Sequence, residues 1–164
     1  MNSKKLFIWG FLFVSVIGTL LHFVYEWSGN NSIVRLFAPW NESTWEHMKL
    51  LFFPMLALVL FLFFKLPEQS PIPVALSIGT LVGLALIPIL FYTYTGVLGF
   101  SVMAIDIAIF YISVLGAFLI GWFLKDNCEL ANRRGLLLTC LVILAILFFI
   151  FSYYPPGIGL FQEP

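Results

Sequence analysis

Apolar runs of about twenty residues recur five times along the chain, separated by short polar breaks. A helix needs roughly 20 apolar residues to cross a bilayer. The pattern therefore predicts membrane helices over Lys5–Trp27, Thr44–Phe64, Ile72–Tyr94, Ser101–Leu124 and Gly135–Tyr154. These runs are too long and too continuous for ordinary buried helices. They also lack the alternation of polar and apolar residues that a transmembrane barrel requires. The expected fold is all-α: a single integral membrane bundle of about five transmembrane helices over residues 1–164.

Composition supports this reading, because 62% hydrophobic and 18% aromatic residues exceed what a soluble core of 164 residues could hide from water. Mean hydropathy is +1.04. Lys4 and Lys5 precede the first run as they would in a signal peptide. That run is long, however, ends in His22 and Glu26, and has no small-x-small cleavage site, so it is read as retained. Orientation follows the Lys and Arg of the short loops. With the N-terminus inside, Lys4, Lys5, Lys65, Lys125, Arg133 and Arg134 are cytoplasmic, and Arg35 and Lys49 lie outside with the C-terminus. The expected location is a cell membrane. Trp27, Trp40, Trp45, Tyr92, Tyr94, Tyr153 and Tyr154 then form an outer aromatic belt.

Net charge is zero and no basic arm occurs, which argues against a nucleic-acid partner. Membrane lipid is the expected contact, and a protein partner or homo-oligomer stays open. Cys128 and Cys140 read as packing residues. CxxC, HExxH, P-loop and GxGxxG patterns are all missing. No internal repeat is evident, and five spans do not divide into two inverted halves. Pro54 and Pro88 fall inside spans, where each removes a backbone donor and is expected to kink its helix.

Polar chemistry concentrates between His22 and Lys49, which holds both histidines and three of the eight acidic residues. His22 and Glu26 are four apart and share a helix side. At 1.5 Å per residue, His22 sits roughly 10 Å below the loop that starts at Gly29. Beyond that loop, NESTWEH opens the second helix, with Glu42, Glu46 and Lys49 spaced as a stripe beside His47. Asp106 lies roughly 8 Å below the same surface by the same rise. Buried membrane charges cost about 2–3 kcal/mol or more unless they find partners. His22, Glu26, Glu46, His47 and Asp106 are therefore expected to line one outward-opening pocket. Asn41, Glu42, Trp27, Tyr92 and Tyr94 are its expected surroundings, and Thr95 is a further rim residue.

Each residue also has a plainer reading. Ser43-Thr44-Trp45-Glu46 fits a capping box, Glu42 fits a helix-dipole partner, and Asn41 fits a cap or loop residue. His22 with Glu26 can be a neutralising pair, and Asp106 can be bonded by nearby hydroxyls. Two Asn-x-Ser sequons, at Asn30 and Asn41, matter only in a eukaryotic secretory pathway.

HFVYEWSGNN followed by NESTWEHMKLLFFP resembles a family of small, uncharacterised bacterial multi-spanning membrane proteins that carry an NESxWEHxK motif. The ending YYPPGIGLF is similar to that family's ending, and the stop after Gln162-Glu163-Pro164 leaves room for residues that relatives possess. The resemblance implies a fold and a location, the bacterial cytoplasmic membrane, but no activity. Three functions follow from the residues. One is a hydrolase or transferase acting on a lipid-like substrate. In it His22, His47 and Glu26 hold a divalent metal such as zinc, and Glu26, Glu46 or Asp106 does acid–base work. Another is a noncatalytic sensor, lipid-binding module or partner subunit. A third is a proton-coupled transporter with a His22, Glu26 and Asp106 relay.

Overall fold

A computed structural model describes residues 2–163. Five long helices account for most of the chain: α1 (Ser3–Trp27), α2 (Thr44–Lys65), α3 (Ile72–Leu98), α4 (Met103–Leu124) and α5 (Arg134–Tyr153). All five are long and apolar enough to cross a membrane. Short 3-10 turns at Val34–Leu36, Cys128–Arg133 and Gly159–Phe161 complete the structure, and no strand occurs among the described residues.

The helix ends follow local chemistry. Asn2 caps α1 through the amide of Lys4, and Ser43 caps α2 through the amide of Glu46, each meeting a backbone donor that a helix start leaves free. Pro71 precedes α3, whose other end is set by Gly99 in the left-handed region, at φ +80°. Helix α3 thus runs a full turn past the expected end at Tyr94. Pro54 and Pro88 sit within helices that continue on both sides of them.

Successive helices run antiparallel. Arg35 of the α1–α2 loop reaches the Ser152 carbonyl at the end of α5, and Thr19 of α1 meets Tyr111 in the first half of α4. At the opposite end, Phe7 packs on Trp122, and Arg134 donates to the Phe63 carbonyl. The α1–α2 loop, the α3–α4 turn and the end of α5 therefore share one end of the bundle, called the loop end below.

Helix α2 is central, with Leu51, Phe52, Met55 and Val59 fully buried. Helices α3 and α4 approach most closely. A Cβ on Gly79 would lie 2.1 Å from the Ala117 carbonyl oxygen, and one on Gly83 would lie 2.9 Å from that of Ser113. Small residues at such crossings let two backbones meet, as in helix pairs that associate in lipid. The outward faces carry Trp9, Phe61, Phe64, Ile107, Phe123 and Ile143, all exposed.

Candidate functional site

The polar residues of the second helix begin with a local cap. The Asn41 side-chain oxygen accepts from the Ser43 amide at 3.1 Å and from its hydroxyl at 2.8 Å. Ser43 Oγ in turn accepts from the Glu46 amide at 3.4 Å. Only this serine half of the expected capping box forms, because the Glu46 carboxylate turns elsewhere.

Helical rotation then separates neighbours. Glu46 and Lys49, three apart, lie on one side, whereas His47 and Lys49, two apart, point to nearly opposite sides. His47 faces α1. Its Nδ1 lies 3.0 Å from the Ser43 carbonyl, which can only accept, so Nδ1 carries the proton. Its Nε2 lies 3.4 Å from Glu42 Oε2. The His22 ring stands 5.3 Å from that of His47, centroid to centroid, and its Nδ1 is buried with no hydrogen-bond partner.

Among the described residues, His22, Glu42 and His47 form a set of three metal-ligating side chains whose donor atoms lie within 4.8 Å of one another. With Nδ1 of His47 committed to a backbone carbonyl, its other nitrogen presents a lone pair toward a carboxylate oxygen. Two acceptors that face each other need a cation between them, either a proton or a metal. A ring nitrogen fixed in this way by a second-sphere carbonyl is the usual arrangement for a histidine ligand. Beside the set lies a cleft of about 130 Å³ whose walls include His22, Glu26, Trp40, Asn41 and Glu42.

A second polar group forms on the other side of α2, and it is closed. Glu46 is 2% exposed, and Lys49 and Ser152 are 0% exposed. Lys49 Nζ donates to Glu46 Oε2 at 2.6 Å, to Ser152 Oγ at 2.5 Å and to the Arg35 carbonyl at 2.8 Å. Three donors thus meet three acceptors. The Ser152 hydroxyl lies within bonding distance of Glu46 Oε1 and the Phe148 carbonyl. The Arg35 guanidinium lies over Trp40, 3.7 Å from its ring centre, and donates to the Ser152 carbonyl. Tyr153 ties the loop again through the Ser32 carbonyl.

The five residues expected in one pocket are therefore divided. His22 and His47 come together, and Glu26 lies on the wall of the adjoining cleft. Glu46 does not join them, because its carboxylate is taken up by Lys49 and Ser152. Asp106 does not join them either, as it accepts the hydroxyl proton of Tyr94, whose oxygen accepts from the Val102 amide. That contact pins α3 to α4, which also removes Tyr94 from the rim. Tyr92 is exposed with its ring against Phe91, and Trp27 is exposed and stacked on Phe23. Asn41 and Glu42 do border the cleft.

Sequence reasoning missed the burial of Lys49 and the parts played by Arg35 and Ser152. Lys49 offered a signal, since it stands three residues after an acid and is followed by an uninterrupted apolar run. Ser152, 106 residues from Glu46, offered none.

A profile of DUF6512, described as a family of unknown function, matches residues 1–164. The chain belongs to that family. No curated protein and no solved structure matches it.

Proposed function

We propose that the chain is a multi-pass membrane protein with its N-terminus in the cytoplasm and its loop end outside. On this reading it is a metal-dependent hydrolase or transferase that acts on a lipid-like substrate. His22, His47 and Glu42 hold a divalent metal such as zinc, and Glu42 takes the place that sequence spacing assigned to Glu26. The observation that carries the reading is the convergence of these three donor sets to within 4.8 Å, with one His47 nitrogen already committed to a carbonyl. Two histidines and a carboxylate that leave a fourth position open are the ligand set of catalytic zinc sites.

When bound, such a metal supplies Lewis acidity and a water that ionises near neutral pH. Glu26, one turn beyond His22 and exposed on the cleft wall, accepts and returns the proton. Glu46 and Asp106 have no place in this chemistry, because each is already engaged by a partner.

A noncatalytic sensor is the second reading. It is favoured by the size of the cleft, about 130 Å³, against the roughly 300–1,000 Å³ of ordinary small-molecule sites. Metal analysis of detergent-purified protein tests the enzyme reading. The wild type should retain zinc stoichiometrically after dialysis, and His22→Ala/His47→Ala should retain none. Equal metal content in the two proteins removes the enzyme reading. Glu26→Gln then separates them, because it should keep the metal and lose turnover only in an enzyme.

A further inference from the structure

A second cleft opens between α1 and α4, toward the middle of the bundle. Its volume is about 390 Å³, and its walls include Phe11, Ser15, Val16, Thr19, Leu20 and Tyr111. Val16 and Leu20 are 55% and 43% exposed, so the cleft is open sideways to whatever surrounds the helices. Its floor is polar. Ser15 is 7% exposed, yet its hydroxyl has no partner. In a helix a serine hydroxyl commonly bonds back to the carbonyl four residues earlier, and Thr19 does so with Ser15. Thr19 Oγ1 also meets the Tyr111 hydroxyl at 3.0 Å.

Ser15, Thr19, His22 and Glu26 follow one another at spacings of four, three and four. At 3.6 residues per turn they form a single stripe along α1, roughly 16 Å long. The stripe runs from the floor of this cleft to the wall of the metal-ligating site. Thr19 lies roughly 4.5 Å below His22 along the helix axis, and Ser15 roughly 10 Å below it.

From this continuity we infer that the cleft is the chain-binding half of the site, and that its occupant is one acyl chain of a membrane lipid. The inference rests on the proposed function for the headgroup half. The headgroup lies at His22, Glu26 and Glu42, and the acyl carbonyl accepts from the unpartnered Ser15 hydroxyl, since Thr19 gives its proton to the Ser15 carbonyl and Tyr111 gives its own to Thr19. The hydrocarbon lies against Phe11, Val16 and Leu20. A free hydroxyl donor, nine-tenths buried in an otherwise apolar groove, calls for an acceptor at that depth. A plain hydrocarbon surface would leave it unpaired. An acyl lipid supplies both the acceptor and the chain.

The test uses the whole protein in phosphatidylcholine/phosphatidylglycerol vesicles doped with a phosphatidylcholine that carries a photoactivatable diazirine in one acyl chain. Cross-links should fall on the Phe11–Leu20 peptide and on Tyr111, about tenfold above the equally exposed Ile143 and Ile146 of α5. Val16→Trp, which fills the cleft from its lipid-facing side, should abolish this excess and leave zinc content unchanged. Ser15→Ala should lower it about threefold to tenfold, the effect of one lost hydrogen bond.

Uniform labelling of all lipid-facing helices overturns the inference, as does labelling indifferent to Val16→Trp. So does efficient disulfide-linked dimerisation of a Val16→Cys variant, which would mean that a second copy fills the groove. Zinc binding with uniform labelling removes the cleft alone. Selective labelling without zinc binding removes the metal site and leaves the cleft.

Discussion

Glu42 and Glu46 stand four residues apart on either side of the Ser43 cap of α2, and they live in opposite circumstances. Glu46 is buried against Lys49 and Ser152, and all three of these side chains are hydrogen-bonded. Glu42 is exposed and faces a histidine nitrogen that also lacks a proton donor, beside a second histidine whose buried nitrogen has no partner. A closed polar group of the first kind fixes the positions of helices. An open group of the second kind has coordination left over, and leftover coordination is what a ligand uses. The difference between satisfied and unsatisfied chemistry says more about function here than depth or charge does.

The largest effect should come from opening the closed group. Lys49→Met leaves the Glu46 carboxylate buried without its cation and should cost about 3–5 kcal/mol, read by SDS titration of the protein in mixed micelles. The double variant Glu46→Leu/Lys49→Met should recover most of that loss, since a buried ion pair replaced by apolar side chains is often near neutral. A double variant as unstable as the single one would mean that the network holds the fold by something other than charge pairing.

An intermediate effect is expected at the clasp. Arg35→Ala removes the donor to the Ser152 carbonyl and the cover over Trp40, and should cost about 1–3 kcal/mol. It should also raise protease sensitivity in the 28–43 loop more than elsewhere. The smallest effect is expected in the open group. In chelator-treated protein, Glu42→Gln and His47→Ala should each shift stability by no more than about 0.5 kcal/mol. A loss there as large as that of Lys49→Met would show both groups to be structural and erase the contrast.

Much of this was legible beforehand. The five helices follow from apolar run length, and α1 and α2 end within two residues of expectation because charged or capping residues mark their boundaries. What spacing could not supply was direction around the helix axis. Asp106 has the depth of His22, but the rise per residue says nothing about which neighbour it faces, and it faces Tyr94. Glu42 and Glu46 looked like one helical stripe. The stripe rule fails because Glu42 precedes the cap at Ser43 and is not in the helix. His22 and His47 sit on different helices, so their meeting depends on how α1 and α2 cross, a matter decided by Gly18 against the Leu50 carbonyl and by no local pattern.

The bond from Ser152 to Glu46 spans 106 residues of chain, and this gives the molecule a history as well as a shape. A ribosome adding about 5–20 residues per second needs on the order of 5–20 s to make that intervening length. Throughout that interval α2 has left the ribosome with no serine to complete its buried group. Lys49 and Glu46, three residues apart, can neutralise each other at once and wait. The loop that carries Arg35 and Trp40 can already meet Lys49 through the Arg35 carbonyl, but its bonds to Ser152 and Tyr153 form only when α5 arrives. The cleft wall at Trp40 is thus finished by one of the last events in synthesis, and a chain interrupted before α5 would carry its histidines without the clasp that holds that wall.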